Sequence, residues 1–138
     1  MADLPDATVV LLSAALAPVP FYDGKLPANE SDIPLRYVVG YFDDGTPWAG
    51  DVAHTSDLCT YRFQLTYATK GSKASRRAVS WLRNTCRAAL IDVVPDVDGW
   101  QFGPYELDLA RPVEPDNDVP SSPALFAVDQ FAIYGARA

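Results

Sequence analysis

At 138 residues, with 49% hydrophobic and 12% aromatic content, the chain is long enough to bury one core as a single domain, residues 1–138. No apolar run approaches the roughly 20 residues that span a bilayer, so a membrane role is not expected. The formal charge of −7 excludes a surface built as a whole to hold nucleic acid or anionic lipid, because phosphate attraction scales with the number of neutralising cations.

The first segment, MADLPDATVVLLSAALAPVP, has an apolar middle, acidic flanks and no Lys or Arg before Lys25, which fits an amphipathic helix rather than a secretory signal. Asp3 or Asp6 can cap it, Val9, Leu12 and Leu16 share a face, and Pro18 ends it. VPFYDG then reads as a short strand closed by an Asp-Gly turn, and KLPANESDIP as a polar connection. Leu35 to Phe42, LRYVVGYF, has strong β-propensity and should pair with the strand at Thr60 to Tyr67.

Between them, the Asp43 to Asp57 stretch is rich in Asp and turn residues, too long for a structureless connection inside a compact domain, and is expected to project. Trp48 within it is a candidate partner anchor or a lid on the core edge. In TYRFQLTY, Tyr61, Phe63, Leu65 and Tyr67 alternate with Thr60, Arg62, Gln64 and Thr66, which predicts a strand with one buried face. The helix that follows, ASRRAVSWLRNTCRAALI, repeats Ala78, Leu82, Cys86 and Ala89 with Val79 and Leu90 at helical spacing, a face suited to covering that strand. The expected core is therefore Leu12, Val38, Tyr61, Phe63, Leu65, Leu82, Cys86 and Leu90. Further on, Trp100 to Phe102 and Tyr105 to Leu109 predict a hairpin or edge strand, EPDNDVPSSP a loop, and ALFAVDQFAIYG a last strand. The alternation of that strand slips between Val128 and Phe131, which calls for a bulge or for cover on both faces.

Charge is unevenly spread. Residues 58–91 hold seven of the eleven basic side chains and none of the eighteen acids, so this block is +7 against −14 for the rest. Arg76, Arg83 and Arg87 fall on one helical stripe with no acid in the helix to relieve them. Such a stripe is either a solvated face or a surface whose counter-charge lies elsewhere.

Motifs for chemistry are sparse. His54 lies in the long loop with Ser56, Asp51 and Asp57, without the spacing of a nucleophile motif. Asp43-Asp44-Gly45 and the Glu114 to Asp118 run do not follow the alternate-position ligand pattern of a calcium loop. Cys59 and Cys86 match no metal spacing and are expected to be buried free thiols. No phosphate loop, dinucleotide fingerprint or zinc motif is present, and neither catalysis nor a cofactor or metal is expected.

The ordered set of a YDG turn, the YVVGYF strand followed by DDG, the CTYRFQLTY strand, the CRAALIDVV helix end, and the terminal FAVDQFAIYG strand resembles the tail terminator proteins of long-tailed, siphovirus-type actinobacteriophages. The likeness runs over nearly the whole chain, with DDGTP where a two-glycine turn is expected. It implies an α+β fold: a small, mostly antiparallel sheet, two main helices packed on one side, and the long projecting loop. It also implies a structural virion protein, a homo-hexameric ring at the head–tail junction, assembled in the host cytoplasm. Such a ring caps the tail tube, stops its polymerisation and joins it to the connector or stopper, while genomic DNA passes without specific binding. For this role Arg76, Arg83, Arg87, Trp48, Glu114, Asp116 and Asp118 are the candidate subunit or tube interface, the arginines meeting acids of a neighbour. Alternatives are a nucleic-acid-binding accessory protein using the basic helix, a connector or stopper ring protein, and a small hydrolase using His54 and loop carboxylates.

Overall fold

The computed structural model describes residues 3–43, 45–47, 58–115 and 124–137. The expected projecting loop, with Trp48, His54 and Ser56, falls almost wholly outside these residues, as do Asp116 and Asp118.

Helix α1 (Leu4–Leu16) starts where the Asp3 carboxylate accepts the Asp6 N–H at 2.9 Å, with a proline in its first turn. Leu4, Thr8, Leu12 and Leu16 are its buried residues. Strand β1 (Phe21–Asp23) ends at Gly24, whose φ of 72° lies in the left-handed region that a Cβ disfavours, so the YDG turn needs its glycine. β1 runs parallel to β2 (Arg36–Phe42), Phe21 beside Val38.

β2 pairs antiparallel with β4 (Leu58–Lys70), Val38 opposite Tyr67 and Phe42 opposite Phe63, as the alternation patterns require. The two-residue β3 (Thr46–Pro47) also lies on β4. Ser75 caps α2 (Arg76–Leu90) by accepting the Ala78 N–H at 3.0 Å. Next come β5 (Trp100–Phe102), β6 (Glu106–Ala110), β7 (Glu114–Pro115) and β8 (Ala124–Arg137).

β8 is the partner of β4 over its whole length, from Leu58 opposite Ala136 to Lys70 opposite Ala124. Its other edge is shared in turn by β5, β6 and β7. Of the hairpin or edge strand expected for Trp100 to Phe102 and Tyr105 to Leu109, the edge arrangement is found: β5 and β6 each lie along β8 and do not pair with each other. The extra residue sits in β6, where Leu107 faces Phe131 and Leu109 faces Gln130, leaving Asp108 bulged. β8 itself stays in register, and Phe131, Ala132 and Ile133 are buried in succession, so it is covered on both faces there.

The fold is α+β: among the described residues, an eight-stranded sheet that is antiparallel except at β1–β2. Both helices contribute to the core, which holds Leu12, Val38, Phe63, Leu65, Leu82, Cys86 and Leu90 together, with Tyr61 partly buried against them. Phe63 stacks on Phe131 at 5.4 Å and meets Tyr105 edge-on at 5.9 Å, which ties β4, β8 and the segment before β6 into one cluster. No described helix is long and apolar enough to cross a membrane.

Candidate functional site

Period two along ALFAVDQFAIYG puts Ala127, Asp129, Phe131 and Ile133 on the face of β8 that α2 covers, so a carboxylate enters the core there. Asp129 is fully buried. A buried ionised carboxylate must be paired and hydrogen-bonded, and α2 meets that need through two members of the basic stripe. Arg87 grips it with both prongs, Nε to Oδ2 at 2.8 Å and Nη2 to Oδ1 at 2.7 Å. Arg83 Nε lies 3.4 Å from Oδ1, close enough for attraction although not aligned as a hydrogen bond. Its Nη2 donates to the main-chain oxygens of Arg111 and, at 3.2 Å, Val128, and its guanidinium stands over the Tyr67 ring at 5.8 Å. Tyr67 completes the set, donating its hydroxyl to Asp129 Oδ2 at 2.9 Å.

The counter-charge for Arg83 and Arg87 is therefore in the same chain, outside the helix and in the last strand, and not on a neighbouring subunit as the stripe suggests. Only part of this signal lies in the sequence: the helix's arginines lack an internal acid, whereas the partner, Asp129, is identified by the placement of β8 under α2. Arg76 is different. It stands exposed in the first turn of α2, with Arg77 beside it and Lys73 just before, and no acid lies in that turn. Glu114 is exposed in β7, opposite Phe126.

The Asp129 set shapes the chemistry around it. Burial, then the nearby Asp129 charge, pushes the Cys86 thiol up to about 12. Burial and Asp129 likewise raise Tyr67, and burial raises Tyr105, whose hydroxyl pairs with Thr8 at 2.8 Å. Cys59 is also raised, first by burial, and both cysteines are free and buried as expected. The sign follows from which state ionises first. The unfolded chain loses these protons near the ordinary values of 9.0 and 10.0 while the folded chain holds them. Stability is thus fully present below about pH 9 and falls as pH rises towards 12. Urea midpoints measured on either side of that onset should drop on the alkaline side, and Cys86 should resist alkylation in the folded chain at neutral pH.

The second face of the sheet carries no described helix. At its centre Arg62 lies 3.8 Å from Asp108, and Gln130 Nε2 donates to Asp108 at 3.4 Å. Tyr41, Arg62, Gln64 and Gln130 line a shallow depression of about 320 Å³ there. The Asp43 carboxylate, one member of the weak calcium-like run, accepts the main-chain N–H of Arg62 at 3.2 Å and of Gly45 at 3.0 Å, so it finishes a turn. No group of three or more potential metal ligands occurs among the described residues.

No protein-family model and no curated protein matches the chain. Among solved structures, its fold is similar to that of a chain from "Virion of native gene transfer agent (GTA) particle", with a TM-score of 0.62 at 14% sequence identity, covering 95% of this chain and 94% of that one. At that identity the likeness is one of fold.

Proposed function

We propose that this chain is a structural virion protein, and more specifically a tail terminator: a subunit of a ring, homo-hexameric in our reading, that caps a finished tail tube and receives the head connector. The observation that carries this reading is the fold shared end to end with a chain of a gene transfer agent virion. The order of motifs adds to it, because the YDG turn, the YVVGYF and FQLT strands and the terminal VDQF strand all fall on β1, β2, β4 and β8, the strands that build the sheet. The role calls for docking surfaces rather than a reaction, and we assign no catalytic residue, cofactor or metal.

Nucleic-acid binding by the basic helix is less well supported, since Asp129 takes up two of the three stripe cations and leaves Arg76. A conduit for DNA is better served by few fixed phosphate contacts, because affinity rises steeply with the number engaged. Negative-stain images of the purified protein, alone and mixed with tail tubes, test the reading. Rings, and rings seated on tube ends, are expected; a chain that stays monomeric in both preparations refutes it.

A further inference from the structure

Helix α2 carries charges of the wrong sign at both ends. Its N-terminus, the positive end of the helix dipole, bears Lys73, Arg76 and Arg77, all exposed and with no acid in the first turn. Beyond its C-terminus, the negative end, stand Asp92, Asp96 and Asp98, also exposed. Arg87, the one basic residue of the last turn, is spent on Asp129. None of these six side chains makes an ion pair with another described residue.

The two clusters lie at opposite ends of the subunit. Lys70, next to Lys73, faces Ala124 at one end of the long β4–β8 ladder, whereas β5, which follows the Asp92–Asp98 turn, pairs with Gly135 to Arg137 at the other. The 15-residue helix between them is about 22 Å long. They therefore cannot neutralise each other within one chain, yet each is the other's complement in sign. Two different, mutually complementary patches on one subunit are what a head-to-tail, ring-closing contact requires.

We propose that the basic end of α2, Lys73, Arg76 and Arg77, docks against Asp92, Asp96 and Asp98 of a second copy of this chain, bringing the N-terminus of one α2 to the C-terminus of the next. The inference rests on the ring reading above and names its interface. It departs from the expectation that Glu114, Asp116 and Asp118 supply the acids: Glu114, the one of the three among the described residues, is placed opposite Phe126, towards the same end as the basic cluster.

The test uses two charge-reversed full-length chains, Arg76→Glu with Arg77→Glu, and Asp96→Lys with Asp98→Lys, assayed by light scattering and negative stain. Each alone faces like with like and should need more than about tenfold higher concentration than wild type to form rings. Mixed in equal amounts they should form rings again, because alternating copies restore both contacts. The acidic substitutions in the first turn should also raise the melting temperature of the free subunit, which separates lost assembly from lost folding. If wild type forms rings and either reversed chain still does so as readily, or if the mixture is not restored, the interface is wrong and the ring reading stands. Loss of tube joining with rings intact points these residues at another partner and also overturns the proposal. A wild-type chain that never forms rings overturns both.

Discussion

Replacing Asp129 with Asn should destabilise the subunit by about 3 to 5 kcal/mol, the cost of breaking a buried ion pair by removing one partner. Asn preserves the shape of the site and can still accept the Tyr67 hydroxyl bond. What it removes is the counter-charge for two guanidiniums held beside a fully buried position. Arg87 retains 26% of its side-chain exposure and can recover some hydration, but Arg83 retains 13% and is pinned by the carbonyls of Arg111 and Val128. Set against the 5–15 kcal/mol that holds a typical domain together, this is a large share. A urea midpoint shift corresponding to less than about 1 kcal/mol would show that the arginines rehydrate freely and that the carboxylate does not fix α2 to β8. Removing all three charges at once together with the hydroxyl that Asp129 satisfies, as Asp129→Leu and Tyr67→Phe with Arg83→Met and Arg87→Met, should recover much of the loss, since an apolar cluster of similar volume has no buried charge to desolvate.

The fold was legible in the sequence where side-chain period and burial coincide. Alternation in β2 and β4 gave the pairing and the buried face, and helical spacing gave the phase of α2, because a one-residue slip in either would have put large apolar groups in water. The edge of β8 was not legible. β5, β6 and β7 are five residues or shorter, so each carries too little pattern to say whether it pairs with its sequence neighbour or with a distant strand. The break in hydrophobic alternation along β8 was visible, but β8 itself stays in register and the bulge belongs to β6 at Asp108, and no local rule assigns a bulge to one strand of a pair. The basic stripe was half legible. Its lack of an internal acid said that counter-charge lay elsewhere; that the acid was Asp129 follows only once β8 is known to lie under α2. Arg76, about two turns nearer the N-terminus of α2 than Arg83, has no such partner among the described residues, which is why the same stripe divides into a structural part and an exposed part.

Leu82→Ala should cost about 2 to 5 kcal/mol, and the upper part of that range is expected. Leu82 is fully buried, in a cluster that also holds Leu12 from α1, Phe63 and Leu65 from β4, and Phe131 from β8. How much such a substitution costs depends on how far the walls can close on the void. Here one wall is the central β4–β8 ladder, paired along thirteen residues of β4, and α2 above it is clamped by the Asp129 contacts. Neither can follow the lost methyl groups far. Trp81, the adjacent residue on the helix, is 48% exposed, and Trp81→Ala should cost under about 1 kcal/mol although it deletes more atoms. The contrast between neighbours one position apart measures the helix phase directly, and equal losses for the two would mean that α2 is rotated from the orientation described. The loss at Leu82 should reach assembly as well as stability. The same helix holds both proposed docking ends in line, so a loosened α2 should raise the concentration needed for rings even where the subunit remains mostly folded.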